Sequence, residues 1–250
     1  MRFVPGALAL GLVMAVAAAP AHAAAPEPQR IAIPSYFPPG PLWDRMGSGA
    51  PAVGTAILNP DSGPGDAPDQ AFADQVKRAR DAGIRVLGYV KTGYAGRDAG
   101  EVKAEIDRYR EWYGVGGIFL DETTTGCDQE PYYEDLHRYV KQGGNDDQVV
   151  LNPGTGVAEC YMKAGDVVVN FESEYQEYTE YAPDPWVRNY PAARFWHLVH
   201  STTEQQLPDA MARSEQNHAG SVYVTPDVMD NPWDTLPPDS YWTTELSLAR

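Results

Sequence analysis

The chain has 250 residues and a formal net charge of -16, from 19 Lys and Arg against 35 Asp and Glu. So acidic a surface disfavours nucleic acid and anionic membranes as partners and suits neutral or cationic ligands. The only cysteines are Cys127 and Cys160; without clustered histidines they make a poor zinc site, and neither a metal nor a cofactor is expected.

The first residues read as a targeting segment. Arg2 is the only charge before an Ala/Leu/Val run, and Ala21-His22-Ala23 has the small-x-small form of a cleavage site. Residues 1–23 are expected to be a signal peptide, residues 24–29 a loose Ala/Pro tail, and residues 30–250 one domain of a secreted, extracellular protein. No later stretch is apolar for long enough to span a membrane. In an exported chain a lone cysteine pair is expected to be bridged, giving Cys127–Cys160.

From there strand-like runs alternate with helical patterns. Runs at Ile31–Phe37 and Ala52–Leu58 end in Pro38-Pro39-Gly40 and in Asn59-Pro60-Asp61-Ser62-Gly63. A helix is predicted over Gln70–Ala82, with Phe72, Val76 and Ala79 on one face and Gly83 as its stop. A strand over Ile84–Val90 follows, then a helix over Glu101–Tyr113 with Asp98 placed to cap it. The fourth strand, from Gly117, carries Ile118-Phe119-Leu120 into two adjacent carboxylates, Asp121 and Glu122. Three consecutive apolar residues point to a strand buried on both faces. A helix over Tyr132–Gln142, strands at Gln148–Leu151 and Asp166–Asn170 with a short helix at Ala158–Lys163 between them, a strand at Arg194–Val199, a helix over Glu204–His218 and a strand at Ser221–Thr225 complete the pattern. Eight strands with intervening helices or loops predict a single closed (β/α)8 TIM barrel, with an open doubly wound sheet as the alternative. No Gly-x-Gly-x-x-Gly follows the first strand, so a dinucleotide fold has no support.

In a barrel the strand ends share one rim, where the chemistry is kept. They supply Tyr36, Asn59, Lys91, Asp121, Glu122, Asn152, Asn170, Glu172, His197 and Asp227. Carboxylates with asparagines, and neither a Gly-x-Ser-x-Gly elbow nor a phosphate loop, point to glycoside chemistry: one carboxyl protonated, a second ionised. Strand alternation forbids Asp121 and Glu122 from both facing inward unless the chain turns there. Trp43, Tyr94, Tyr175 and Trp233 are candidate sugar platforms, His197 reads as a barrel-wall histidine, and Asn152, before Pro153-Gly154, also reads as a turn residue.

Several segments resemble the spherulin 4 (spherulation-specific family 4) proteins: Ile33-Pro34-Ser35-Tyr36-Phe37-Pro38, Ala56-Ile57-Leu58-Asn59-Pro60, Gly88-Tyr89-Val90-Lys91-Thr92, Gly117 to Thr123, and Asn170-Phe171-Glu172. The resemblance runs from Ile31 to the end. Some members are fungal hydrolases of galactosaminogalactan, placed in glycoside hydrolase family 135 and similar to endo-α-1,4-polygalactosaminidases. It implies a (β/α)8 barrel and Asp121, Glu122 and Glu172 as the catalytic acids. With Tyr36, Asn59, Lys91, Tyr94, Asn152, Asn170 and Tyr175 as substrate contacts, the expected protein is a monomeric, metal-independent endo-glycosidase acting on an α-linked hexosamine polysaccharide. The alternative is a non-catalytic wall or matrix protein that binds glycan through the same cleft.

Overall fold

The computed structural model describes Met1 and residues 28–249. The expected leader, apart from Met1, and the tail up to residue 27 lie outside the described residues. Eight parallel strands close into a barrel in sequence order: β1 (Arg30–Ser35), β2 (Val53–Leu58), β3 (Arg85–Lys91), β4 (Gly117–Asp121), β5 (Gln148–Leu151), β6 (Val167–Glu174), β7 (Phe195–His200) and β8 (Ser221–Val224). Closure comes from β1 against β8, with Arg30 opposite Ser221 and Ile31 opposite Val222. Around it lie α1 (Pro41–Gly47), α2 (Gln70–Asp81), α3 (Ala99–Arg108), α4 (Glu130–Gly143), α5 (Tyr175–Tyr178), α6 (Leu207–Gln216) and α7 (Asp239–Leu248). Among the described residues no helix is long and apolar enough to cross a membrane.

The helices begin where local chemistry allows. Asp69 accepts from the Ala71 N–H to cap α2, and Asp98 accepts from the Gly100 and Glu101 N–H groups to cap α3. A π-helical turn at Tyr109–Tyr113 extends α3 and ends on Gly114 at φ 59°. The turn carries Tyr109 onto the outside of β3, where only glycine fits: a Cβ on Gly88 would lie 2.4 Å from the Tyr109 ring. Inside, Tyr89 stacks on Phe119 at a centroid distance of 6.3 Å and Phe119 meets Trp196 edge-on at 5.7 Å, an aromatic chain across the barrel from β3 to β7.

Several expectations need correction. Gln29, placed in the loose tail, is buried: its amide donates to Ala219 O at 2.7 Å and accepts from Ser214 Oγ. Helix α1 was hidden by the prolines around it. Helix α7 was hidden because Glu245 on its inner face is fully buried and interrupts the apolar stripe. Strand β6 runs four residues beyond Asn170, so Glu172 lies within a strand and not on the loop after it.

Cys127, in the segment after β4, is bonded to Cys160, in the segment after β5, at a Cα separation of 6.0 Å. Neighbouring strands bring those segments side by side, and Thr124 and Tyr161 hydrogen-bond through their hydroxyls in the same place.

Candidate active site

Strand parity decides which side chains reach the mouth, since residues paired across parallel strands face the same side. Lys91 pairs with Asp121, two residues on from the inward pair Tyr89 and Phe119, so Asp121 faces in. Asn152 follows the inward Val150, and its N–H bonds Leu120 O. Strand β6 would fail this rule without an irregularity. Val169 pairs with inward Trp196, and strict alternation would then turn Phe171 inward and Glu172 out. The register instead shifts between Val169 and Phe171, so that Phe171 pairs with His197 and Glu172 with Leu198. This one-residue bulge at Asn170 sends Phe171 to the outer core and Glu172 into the barrel.

Four groups then converge. The Asn152 amide nitrogen donates to Asp121 Oδ1 at 2.8 Å and to Glu172 Oε2 at 2.7 Å. Its oxygen accepts from the Gly154 N–H at 2.9 Å, which fixes the orientation of the amide. Asn152 is thus both the turn residue and the site residue that the sequence allowed. Tyr89 Oη donates to Asp121 Oδ2 at 2.6 Å, and Trp233 Nε1 donates to Glu172 Oε1 at 3.2 Å. Trp233 is brought over the mouth by the segment after β8, where its carbonyl accepts from the Tyr36 N–H. Both carboxyls are raised above their ordinary range, chiefly by burial. For Glu172 burial and the nearby Asp121 charge win over the Asn152 and Trp233 hydrogen bonds, and its pKa is pushed up to about 7.

Glu122 reaches the site because the chain does turn. Its φ is 53°, in the left-handed region, and its carbonyl accepts from the Tyr94 N–H at 2.7 Å. A non-glycine residue there stores on the order of 1 kcal/mol or more, held by the surrounding bonds. Asp121, Glu122, Glu172 and Tyr94 line one depression of about 190 Å³. A cavity of about 540 Å³ on the Trp233 side and another of about 410 Å³ toward Tyr181 adjoin it; all three share Glu172 and Gly154. Glu172 therefore stands at the centre of an open cleft, with space on more than one side.

The remaining candidates divide. Tyr94 is 64 % exposed at the cleft edge, as a platform must be. Tyr36 is half-buried with its ring edge-on to Tyr89 at 5.6 Å, under the acids. Lys91 is exposed at the rim on the Asp121 side of β3, outside the lining of the three depressions. Three do not meet the acids. Asn59 is used by its own loop, accepting from the Gly63 N–H. Asn170 is buried at the bulge and donates to Tyr181 Oη. Tyr175 packs on the outer core and donates to Asp209. His197 is a buried wall residue bonded to Tyr178, and Trp43 is core, donating to Phe37 O. Tyr89 was missed, although its place two residues before the rim of β3 carries the signal.

The model of spherulation-specific family 4 matches residues 30–249. Spherulin-4 of Physarum polycephalum is 31% identical over 212 residues, which make up 80% of this chain and 64% of that protein, so the chain spans just under two thirds of its relative's length. Aspergillus clavatus Sph3, solved in complex with GalNAc, superposes with a TM-score of 0.77 at 26% identity, covering 88% of this chain and 97% of that one. A chitinase from Chromobacterium violaceum shares the fold alone, with a TM-score of 0.58 at 9% identity over 90% of this chain and all of its own.

Proposed function

The chain belongs to spherulation-specific family 4, and we propose that it is a secreted endo-glycoside hydrolase acting on an α-linked, hexosamine-containing polysaccharide. Aspergillus clavatus Sph3, 26% identical and solved in complex with GalNAc, supports a hexosamine-containing ligand. The observation that carries the reading is the Asp121–Glu172 pair at the carboxyl rim, bridged by one amide. Two oxygens accepting from the diverging hydrogens of one amide at those distances lie roughly 5 Å apart, which is short enough for a retaining pair and too short for an inverting one.

The roles follow from the environments. Glu172, raised to about 7, keeps its proton in about half of the molecules at neutral pH and in most of them below it, and is the acid that protonates the glycosidic oxygen. Asp121 carries donors on both oxygens, which favours its charge, and is the nucleophile at the anomeric carbon. As the C–O bond breaks, the leaving sugar takes the Glu172 proton and a glycosyl ester forms on Asp121. Glu172, now ionised, then takes a proton from water as that water attacks the anomeric carbon and breaks its bond to Asp121, which leaves Asp121 ionised and Glu172 protonated again. Glu122 lines the same depression and can accept from a sugar hydroxyl. The leader and the Cys127–Cys160 bridge support export. A cleft open on more than one side of Glu172 suits cleavage within a chain.

The test is incubation with purified hexosamine polymers and mass spectrometry of released oligosaccharides, with Glu172→Gln as control. Oligosaccharides from the wild type alone are expected. Binding without release from any polymer would identify a glycan-binding protein instead.

A further inference from the structure

The bulge at Asn170 turns Phe171 out of the barrel and Glu172 into it. A slip of one residue would reverse both, because side chains alternate along a strand. A bulged residue also gives up its place in the ladder. Something outside the ladder therefore has to hold Asn170 where the β7 register skips it.

The hold comes from the segment that follows β6. Tyr181 Oη donates to the Asn170 carbonyl at 3.1 Å and accepts from the Asn170 amide nitrogen at 2.9 Å. Asn170 is buried, and its Oδ1 has no partner among the described residues. Tyr181 thus supplies the one hydrogen bond that this side chain makes there. The same segment cages the out-turned Phe171, whose ring centroid lies 4.5 Å from Tyr178 and 4.8 Å from Tyr181. The hydroxyls of the two tyrosines go to different places. Tyr178 Oη meets His197 Nδ1 on β7 at 2.6 Å, while Tyr181 Oη goes to the bulged residue itself.

Tyr181 also borders the site, lining the cavity of about 410 Å³ together with Phe171 and Glu172. Without its hydroxyl the Asn170 amide would be buried with neither end bonded, a cost that a shifted β6 would relieve. Any such shift moves Glu172 from the place where Asn152 and Trp233 meet it.

We propose that Asn170 and Tyr181 are positioning residues for the reaction: their reciprocal hydrogen bonds hold the bulge that keeps the Glu172 carboxyl at the mouth of the barrel. Neither touches the acids, so both act through the backbone of β6. The effect on rate rests on the glycosidase reading, whereas the effect on the place of Glu172 rests on the fold alone.

The test compares Tyr181→Phe with Tyr178→Phe. Each keeps its ring in the Phe171 cage and loses one hydroxyl, and only the first loses the bonds to Asn170. The position of Glu172 is read by NMR from the indole N–H of Trp233, which donates to Glu172 Oε1 at 3.2 Å. Trp233→Phe assigns that resonance, and Glu172→Ala gives its position when the bond is absent. In Tyr181→Phe the resonance should move toward the Glu172→Ala position, while the dispersion of the other signals shows that the chain is folded. On hexosamine oligosaccharides that the wild type cleaves, its kcat should fall at least about tenfold with KM within about twofold, the scale of one buried hydrogen bond. Tyr178→Phe should match the wild type in both readings, even where its melting temperature falls as far. A Trp233 resonance that stays in place in Tyr181→Phe, an unchanged kcat, or the same changes in Tyr178→Phe would overturn the proposal. Asn170→Ala, which leaves the Tyr181 bond to the carbonyl, should give the same changes at smaller size and decides the matter should Tyr181→Phe fail to fold. A wild type that cleaves none of the oligosaccharides refutes the hydrolase, and the Trp233 resonance then decides the hold on Glu172 by itself.

Discussion

Asp121 and Glu172 are held by the two hydrogens of a single amide, that of Asn152, at 2.8 and 2.7 Å. The bridge sets their spacing and favours the charged form of each. Burial opposes it in both cases, and Glu172 remains near 7. Changing Glu172 to Gln or Asp121 to Asn preserves shape and should lower kcat by at least about a hundredfold. Because the folded-state pKa of Glu172 lies above its ordinary value, the stability tied to its proton is lost as pH rises through about 7. At pH 8 Glu172→Gln should therefore melt no lower than the wild type, as differential scanning calorimetry can establish. Loss of turnover with a retained melting temperature separates chemistry from misfolding.

The pH profile follows from the same pair. kcat/KM should fall as pH rises through about 7, where Glu172 gives up the proton it must donate. Asn152→Ala removes a donor that favours the ionised form, so this alkaline limb should move to higher pH while the maximum rate drops. An unmoved limb would mean that Glu172 is not the acid.

Tyr89 acts on the other partner. Its hydroxyl donates to Asp121 at 2.6 Å, and Tyr89→Phe keeps the ring between Tyr36 and Phe119. The carboxyl of Asp121 should become less acidic. The acid limb of kcat/KM should shift up by about one pH unit, the scale of one charge-assisted hydrogen bond, with the alkaline limb nearly unchanged.

Glu245 predicts a stability change far from the chemistry. It is fully buried; one oxygen accepts from the Val224 N–H and the other has no partner, and burial raises its pKa to about 8. The folded pKa is above the unfolded one, so its contribution is complete below about 4.5 and lost as pH rises to about 8. Glu245→Gln keeps the acceptor for Val224 and removes the titration. The variant should flatten the decline in unfolding free energy between those pH values, by an amount on the order of 5 kcal/mol at most, measured by urea denaturation.

The Cys127–Cys160 bridge closes a loop with a sequence separation of 33. The chain-entropy model gives it about 3–4 kcal/mol. Replacing both cysteines by Ala should lower the melting temperature by several degrees and loosen the segment after β4 that follows Glu122, as hydrogen exchange can show.

Apolar runs and Gly/Pro turns that recur eight times made a (β/α)8 barrel the leading reading of the chain, with Asp121, Glu122 and Glu172 at the ends of such runs, while closure of β1 onto β8 rather than an open sheet was decided by tertiary pairing. The sequence by itself also showed that Glu122 could join Asp121 only through a turn, which its left-handed backbone provides. Local rules could go no further. Which face Glu172 takes depends on the register of β6 against β7, a pairing between strands more than 20 residues apart that skips Asn170. Alternation read from β6 alone would have turned Glu172 outward. Trp233 lies 61 residues from Glu172 and meets it only because closing β8 onto β1 folds the last loop over the mouth. The same closure leaves Asn59, Asn170 and Tyr175, plausible by their place near strand ends, with partners of their own. Residue type and period act within a segment; hydrogen-bond partners and pKa values are set between segments, by what packing brings within about 3 Å and what it removes from water.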